Sequence, residues 1–289
     1  MNRNYCAIII DIKRSKTYDI DTRNEVQEYL TKCIKMLNDA SKQELACDVT
    51  FSAGDELQGL FESPFAAVSY WRILELMVHP VQLRAGLGVG EWNIRIEGGT
   101  SAQQDGPAYH NARNAIEEVY KKQFQNIRIN SKSEKDIFAN YLLNVSWGYK
   151  AGQNYMQNFL QLVSELLYPF AGEKGQVNDH GLDMLNLKES YGVKEKTYKR
   201  SIGRNQIQST DFSETDLFRQ DEIIITGHMT EADEAVSKKG MNTRIADIVQ
   251  RSRQNIDTVM KRGNVQLIRS MDFMALQYLI NNYGEKNDS

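Results

Sequence analysis

The sequence predicts an α+β fold in its first half and helices alone in its second half. Two observations lead to this division. Up to about residue 131, short apolar runs typical of buried strands alternate with amphipathic helical segments. Their order, β-α-β-β-α-β followed by a further strand and helix, is that of a ferredoxin-like sandwich. Beyond residue 131 the strand patterns fade and helical periodicity dominates, which predicts an all-α helix-turn-helix region.

Local patterns define the elements of the first half in turn. The apolar run that contains Asp11 is typical of a central strand, and residues 53–56 form a tight turn that places Asp55 at a hairpin tip. Pro64 and Pro107 each begin a helix, because proline fits the first helical position. The predicted elements are strand 6–12, helix 21–38, strands 46–53 and 57–61, helix 64–77, strands 81–89 and 92–97, loop 98–104, helix 107–123 and strand 126–130.

The helical half shows signs of an internal repeat. Residues 141–170 predict two helices, and 171–179 predict a loop. Ser-Thr-Asp-Phe at 209–212 recurs as Ser-Met-Asp-Phe at 270–273, and apolar positions match at the same offset. Residues 241–249 and 254–263, joined by a short turn, predict a helix-turn-helix. We therefore divide the chain into an α+β domain over 1–131, a helical linker over 132–179 and a tandem (winged) helix-turn-helix region over 180–289.

Bulk composition excludes several classes of protein. Hydrophobic residues make up 41% and charged residues 25% of the chain, as in ordinary globular proteins. No apolar run approaches the roughly 18 residues of a membrane span, and the short N-terminal run stops at an acid, unlike a signal peptide. The three cysteines are widely spaced and lack metal-ligand spacing. We expect a cytoplasmic protein with reduced thiols and no membrane insertion, whose net charge of −3 leaves nucleic-acid binding to local patches.

Two aspartates on neighbouring predicted strands suggest a metal–nucleotide site. Asp11 lies in a central strand, where a carboxylate is costly unless it binds something, and Asp55 lies on the adjacent hairpin. Each aspartate alone is more typical of a cap or turn residue than of a metal ligand. Together they supply what Mg²⁺ needs to hold triphosphate oxygens. The nearby candidates for the phosphates and their charge are Lys13, Arg14, Ser15 and Arg113.

Four segments resemble class III nucleotidyl cyclases. Residues 7–12 are similar to the cyclase strand whose aspartate binds metal, and 51–61 to the second metal-aspartate hairpin and the GGDEF turn of diguanylate cyclases. Residues 83–91 resemble the cyclase strand that ends in a glycine turn, and 105–113 the segment with the transition-state arginine. With its helical tail, the whole chain resembles the SatD family of bacterial proteins, which pairs such a domain with DNA-binding helices.

The resemblance implies a cyclase-like palm domain that uses Mg²⁺ or Mn²⁺ with a nucleoside triphosphate or related nucleotide, in a homodimer. It assigns metal binding to Asp11 and Asp55, with Ile12 beside them, and transition-state stabilisation to Arg113. The residues implied to contact the nucleotide are Ile12, Lys13, Arg14, Ser15, Phe51, Asp105, Tyr109 and His110.

Two departures from the cyclase pattern weaken the case for turnover. Phe51 stands where cyclases usually have a base-reading lysine, and Tyr109 stands where they have an asparagine, with Asn111 two residues before the arginine. Glu56 is a further candidate metal ligand, but it alternates with Asp55 along the strand. We therefore favour nucleotide binding over cyclisation.

The predicted helix-turn-helix suggests DNA as a partner. Arginine, glutamine and asparagine side chains read base edges, while lysine and threonine hold phosphates. Such folds also serve as protein-interaction modules, and acids balance bases over the tail as a whole. The candidate DNA-binding residues are Arg253, Gln254, Asn255, Thr258 and Lys261 in the second unit and Lys194, Lys196, Lys199 and Arg200 in the first.

The combined interpretation is a nucleotide-responsive, DNA-binding regulator with a palm domain. Two alternatives stay open. One is an active nucleotidyl cyclase or second-messenger synthase with a helical dimerisation tail. The other is a DNA-binding regulator whose palm is kept only as a dimerisation platform.

Overall fold

The computed structural model describes residues 3–172, 180–191, 219–228 and 230–284. The strands are β1 Tyr5–Ile12, β2 Leu45–Ala53, β3 Glu56–Phe61, β4 Leu83–Gly90, β5 Ile127–Asn130, β6 Phe170–Ala171 and β7 Ile223–Ile224. The helices are α1 Ile20–Ala40, α2 Pro64–Val78, α3 Pro107–Lys121, α4 Lys135–Val145, α5 Trp147–Ala151, α6 Tyr155–Leu167, α7 Gly181–Ser190, α8 Ala232–Val236, α9 Met241–Ile248, α10 Arg253–Arg262 and α11 Val265–Tyr283.

Five strands form one mixed sheet in the order β2-β3-β1-β4-β5. Strand β1 lies antiparallel to both β3 and β4, and β3 lies antiparallel to β2. This is the strand arrangement of a ferredoxin-like fold, so the predicted α+β class is confirmed. Strand β5 pairs in parallel with β4, and α3 makes the crossover between them. A separate two-stranded ribbon joins β6 to β7.

The two faces of the sheet are covered by different helices. Side chains alternate along β1, so Ile8 and Ile10 enter the larger core with α1 and α2. Ala7 and Ile9 point to the other face and pack against α3. Because Asp11 continues the second series, its side chain lies on the α3 face, at the end of the strand.

Helix α3 lies very close to β4 because that strand carries glycines where the helix crosses it. A Cβ at Gly88 would lie 2.0 Å from the Ala108 carbonyl oxygen, and one at Gly86 would lie 2.4 Å from the Ala112 carbonyl oxygen. Any side chain at these positions would push the helix away from the sheet. The glycine pattern of 86–90 therefore sets the depth at which α3 meets the sheet.

The strand predicted over residues 92–97 does not form, and that prediction is wrong. The segment makes an isolated bridge between Ile94 and Asp105. The side-chain amide of Gln104 accepts a hydrogen bond from the Ile96 N–H (2.8 Å) and donates one to the Ile96 carbonyl (2.9 Å). The Gln104 side chain thus makes the hydrogen bonds to Ile96 that a neighbouring strand would make, and the side chains of Ile94 and Ile96 are exposed.

The helical half packs directly on the palm. Helix α11 contacts α2, α4 and α6, and the apolar core that begins under the sheet continues into these helices. Helix α6 lies within the predicted helical stretch 141–170, whereas α4 begins earlier, at Lys135; α9 and α10 lie where the two helix-turn-helix segments were predicted. The first copy of the predicted repeat, around 197–212, lies outside the described residues. No helix in the described ranges is long and apolar enough to cross a bilayer.

Six charges, five of them buried and Glu75 partly buried, join the palm to the helical half, and we call them the junction cluster. Arg72 bonds Asp272 through Nε at 2.8 Å and Glu165 through Nη2 at 2.7 Å. Arg269 meets the other oxygen of Glu165 at 2.7 Å, and Lys150 meets Asp272 at 2.9 Å. The full set is Arg72 and Glu75 of α2, Lys150 of α5, Glu165 of α6, and Arg269 and Asp272 of α11.

Candidate functional site

The C-terminal end of β1 places Asp11 between two charged neighbours. In the register of the sheet, Asp11 lies opposite Glu56 on β3 and opposite Arg84 on β4. The Arg84 Nη2 donates to the Asp11 carboxylate at 3.0 Å. The Arg84 guanidinium also lies over the Tyr120 ring, 4.5 Å from its centroid. The predicted metal ligand is therefore paired with an arginine of the same sheet.

A second arginine–carboxylate pair lies beside the first. Arg113 of α3 makes two hydrogen bonds to the Glu56 carboxylate, at 2.6 and 2.8 Å. Ser52 of β2 donates a third at 2.9 Å. Burial acts to raise the pKa of Glu56, but the bonds from Arg113 and Ser52 outweigh it and lower the pKa. Glu56 is thus a charged partner of the predicted transition-state arginine.

We call these four residues (Asp11, Glu56, Arg84 and Arg113) the site cluster. All four contribute to the pKa of the Tyr120 hydroxyl, which is raised by burial and further by Asp11 and Glu56. The arginines act in the opposite direction. The sheet register and the two arginine–carboxylate pairs thus place the four charges in a single small region on the α3 face.

Asp55 approaches this region from the β2–β3 turn. The turn is made by Gly54, whose φ of +61° favours glycine. Partial burial raises the pKa of Asp11, and the charges of Asp55 and Glu56 raise it further, while Arg84 lowers it. The two predicted metal aspartates therefore lie close enough to repel each other. A cation between them would relieve that repulsion.

The loop after β1 brings further cations to the same place. Burial lowers the pKa of Lys13, and the neighbouring charges of Arg84 and Arg14 lower it further. The Lys13 ammonium lies over the Trp147 ring of α5, 5.2 Å from its centroid. Arg14 adopts a left-handed backbone with φ 61°, and Ser15 behind it is buried. The loop therefore presents cations next to carboxylates, as binding of a metal–phosphate ligand requires.

Other predicted nucleotide contacts lie elsewhere. Phe51 packs on the core under the opposite face of the sheet from Asp11. Tyr109 shares a hydrogen bond with Ser101 (3.3 Å) at the far end of the sheet, level with Ala7. That level is four residues, or about 13 Å, along β1 from Asp11.

The same far end holds Asp105 and His110. Their side chains pair with each other at 2.9 Å on the surface, at the start of α3. The chain therefore brings together Asp11, Ile12, Lys13, Arg14, Ser15, Asp55 and Arg113, and separates them from Phe51, Asp105, Tyr109 and His110.

The carboxylates of Asp11 in the site cluster and of Asp55 beside it are donors of the kind that Mg²⁺ or Mn²⁺ takes together with a phosphate ligand. Mg²⁺ is usually held by one or two carboxylates, with phosphates and waters completing its shell. Asp11 and Asp55 offer the carboxylates, and the Ile12 backbone ends the strand beside them. The described residues contain no group of three or more His, Cys, Asp or Glu arranged for a metal. A metal here would depend on phosphate oxygens for the rest of its shell.

Sequence reasoning missed two members of the region, Arg84 and Tyr120. The signal for Arg84 was present, since it is a lone charge within an apolar strand pattern. In a ferredoxin-like order the fourth strand lies beside the first, so the register pairs that charge with Asp11. Tyr120 stands seven residues after Arg113, two helical turns along the same face.

A second region of interest lies on α9 and α10. The segment 237–264 carries seven basic and two acidic residues in a chain whose net charge is −3. An open cleft of about 480 Å³ lies between these helices and the start of α11. Lys238, Arg253 and Lys261 line the cleft; Arg253 and Lys261 are exposed and Lys238 is partly buried.

The predicted DNA-binding residues of the second unit all lie on α10. Arg253 approaches Asp257 at 3.8 Å, and the Thr258 hydroxyl donates to the Gln254 carbonyl at 2.9 Å. The backbone N–H of Asn255 donates to the Ser252 hydroxyl at 3.3 Å. The candidates of the first unit, Lys194, Lys196, Lys199 and Arg200, lie outside the described residues.

Comparison with known proteins gives one family and several distant folds. The sequence model of the SatD family matches residues 5–173. No curated protein is similar to the chain at a significant level. A bacterial light-regulated adenylyl cyclase is 14% identical over 45% of this chain and 76% of its own, with a TM-score of 0.32. The adenylyl cyclase CyaB from P. aeruginosa is 14% identical over 41% of this chain and 73% of its own, with a TM-score of 0.30.

Proposed function

The chain belongs to the SatD family, and from that premise we propose that its palm binds Mg²⁺ or Mn²⁺ together with a nucleoside triphosphate or related nucleotide. The observation that carries the proposal is the site cluster, with Asp55 and Lys13 beside it. Carboxylates and cations are interleaved within one small region. A metal–triphosphate has the complementary pattern, a dication surrounded by anionic oxygens.

In this proposal the residues divide by charge. Asp11 and Asp55 hold the metal, with the end of β1 at Ile12 beside them. Lys13, Arg14 and Arg113 face the phosphates, and Ser15 sits in the same turn. The bound metal would neutralise phosphate charge, and the protein would supply position and counter-charge.

Turnover is a weaker proposal than binding. Phe51 lies under the opposite face and Tyr109 lies about 13 Å along the sheet, so neither supports the reading of a base at Asp11. Arg113 is engaged by Glu56 in the same chain. An active nucleotidyl cyclase with a helical dimerisation tail is therefore the alternative. It would need other residues to contact the base and would need Arg113 to be released from Glu56, for example by contacts across a homodimer.

The test uses the full chain with ATP, GTP, CTP or UTP and either Mg²⁺ or Mn²⁺. We expect a rise in melting temperature with one triphosphate plus metal, lost in Asp11→Asn and retained in the control Asp39→Asn on α1. Analysis of the same mixtures for pyrophosphate and a new nucleotide separates binding from cyclisation. Absence of any shift with all four triphosphates would reject the proposal and leave the palm as a dimerisation platform.

DNA binding by the α9–α10 surface is a second proposal, carried by a separate observation. The segment 237–264 has seven basic and two acidic residues, so its positive charge would attract a polyanion such as DNA. The cleft residues Arg253 and Lys261 lie on the exposed side of α10. Together the two proposals describe a nucleotide-responsive regulator.

Binding of duplex DNA at rising salt tests this second proposal. The double variant Arg253→Ala, Lys261→Ala removes two phosphate contacts, so the slope of log affinity against log salt should fall by about 2. The control Lys32→Ala, Lys35→Ala removes two exposed charges of α1 and should leave the slope unchanged. Equal slopes in both variants would reject DNA binding at α10 and favour a protein partner.

A further inference from the structure

The site cluster is already neutralised within the chain. Asp11 holds Arg84 at 3.0 Å, and Glu56 holds Arg113 at 2.6 and 2.8 Å. A metal cannot use the Asp11 carboxylate fully while the Arg84 guanidinium is bound to it. A phosphate cannot use the Arg113 guanidinium fully while Glu56 is bound to it. Both pairs must loosen before a ligand can be held.

Arg84 is poised to accept a different partner. Its Nε atom is buried and has no hydrogen-bond partner among the described residues. A buried guanidinium donor without an acceptor is costly, so an anionic oxygen arriving there is favoured. The Tyr120 ring holds the guanidinium from one side at 4.5 Å, which keeps it close to Asp11 even when the ion pair opens.

We propose that Arg84 is an internal counter-ion that exchanges partners, so that the metal and the triphosphate bind tightly only as a pair. The metal takes Asp11 and Asp55, and the phosphate oxygens take the released Arg84 and Arg113. Each ligand supplies the counter-charge that the other displaces. This inference rests on the proposed function and assigns Arg84 a role in phosphate binding.

Partner exchange predicts a specific pattern of affinities. If the metal binds alone, Arg84 loses its carboxylate partner and gains no other. If the triphosphate binds alone, its negative charge is added next to the carboxylates of Asp11, Asp55 and Glu56. Each single ligand therefore binds weakly. Since coupling between two ligands is reciprocal, each should tighten the other by the same factor, typically about 5- to 150-fold.

Removal of the internal counter-ion should change the two affinities in opposite directions. In Arg84→Gln the Asp11 carboxylate loses its competitor, so Mn²⁺ alone should bind several-fold more tightly. The triphosphate should bind several-fold more weakly, since a phosphate-binding cation is lost. Arg84→Lys keeps the charge and should fall between Arg84→Gln and the natural protein in both respects. A purely structural arginine would lower both affinities together.

The experiment measures free Mn²⁺ by electron paramagnetic resonance in titrations of the full chain. Each titration is run with Mn²⁺ alone and with ATP or GTP present, and the Mn²⁺ that the nucleotide binds in matched protein-free titrations is subtracted. Arg95→Gln is the matched control, because Arg95 is an exposed arginine stacked on Tyr5 and Trp92, away from Asp11. Melting curves verify that each variant folds.

The outcomes separate the inference from the proposed function. Mutual tightening in the natural protein, with opposite changes in Arg84→Gln, supports partner exchange. Mn²⁺ binding that is equally tight with and without nucleotide overturns partner exchange while leaving metal–nucleotide binding in place. Loss of both affinities in Arg84→Gln overturns it as well. Failure of every ligand combination to bind the natural protein rejects the proposed function and the inference together.

Discussion

The site cluster and the junction cluster are built from the same kinds of groups but differ in their exposure to solvent. The site cluster holds two arginines and two carboxylates, and its Arg113 side chain is 44% exposed. The junction cluster holds three cations and three carboxylates, and its Arg269 side chain is fully buried. Both are balanced in charge within the chain.

The number of fixed partners differs as much as the burial. Asp272 accepts from Arg72, Lys150 and Ser146, at 2.8, 2.9 and 2.6 Å. Among the described residues Asp11 has one ion pair, with Arg84, and the two side chains are 17% and 23% exposed. A buried charge with several partners cannot leave without stranding them, whereas opening the Asp11–Arg84 pair breaks a single ion pair. The junction cluster is therefore held by more partners than the site cluster, which is the one that we propose to bind a ligand.

The largest expected effect is the loss of one junction carboxylate. Asp272→Asn leaves Arg72 and Lys150 with an uncompensated buried charge, which costs about 3–5 kcal/mol of unfolding free energy. Urea denaturation at neutral pH measures it. The control Glu118→Gln breaks the surface pair with Lys121, and its denaturation midpoint should match that of the natural protein. A midpoint for Asp272→Asn equal to that control would erase the distinction between the two clusters.

The two aspartates should also respond oppositely to pH. Burial acts to raise the pKa of Asp272, but Lys150 and Arg72 outweigh it and hold the pKa well below its usual range. The stability it contributes is present above the ordinary aspartate pKa and is lost as pH falls towards the depressed one. Urea midpoints between pH 7 and pH 3 should fall in the natural protein and fall less in Asp272→Asn.

Asp11 has the reverse sign, because burial and the charges of Asp55 and Glu56 raise its pKa. Ionised Asp11 is therefore a cost to the fold at neutral pH, and that cost disappears as pH falls below the ordinary aspartate pKa. Asp11→Asn should raise the melting temperature slightly at pH 7 without ligand, and the gain should vanish at pH 3. A lower melting temperature at pH 7 would show that the Arg84 pair stabilises the fold more than burial destabilises it.

The smallest effect concerns the contact between the site loop and the helical half. Lys13→Met keeps the aliphatic stem on the Trp147 ring but removes the ammonium. We expect a loss of about 0.5–1 kcal/mol in unfolding free energy, the range of a partly exposed cation–π contact. Urea denaturation measures it against Lys16→Met in the same loop. A loss as large as that of Asp272→Asn would place Lys13 with the structural charges.

The sequence was sufficient for the palm because its signals are local. The run up to Asp11, the turn at Gly54 and the prolines at 64 and 107 each mark an element independently of the rest of the chain. The prediction of a strand over 92–97 was wrong because it also used only local signals. The residues do alternate between apolar and polar, but the Ile96 backbone is hydrogen-bonded by the Gln104 side chain instead of by a neighbouring strand, and a local sequence pattern does not reveal that contact.

The candidate site was only half accessible from the sequence. Asp11, Asp55 and Arg113 stood out because they sit on recognisable elements. Arg84 became visible only through the register of β1 and β4, which is a property of the sheet. Phe51 was assigned to the nucleotide through its place in a motif, while strand alternation turns its side chain to the other face.

The junction cluster was beyond sequence reasoning altogether. Arg72 and Asp272 are separated by 200 residues and meet through the packing of α2 on α11. Each looks like an ordinary helix residue in the chain. Only the tertiary fold shows that their charges complete each other.

Helices α2 and α11 are consequently bound to a common evolutionary history. A lineage that replaced Arg72 by an apolar residue would remove one partner from both Glu165 and Asp272 and leave the cluster with one more negative than positive charge, so we expect compensating changes to accompany it. Homologues should therefore retain the six charges as a block or lose them as a block. Exchange of the helical half between relatives should also destabilise the protein when the foreign α11 lacks Asp272, because Arg72 of the palm would lose one of its two carboxylate partners.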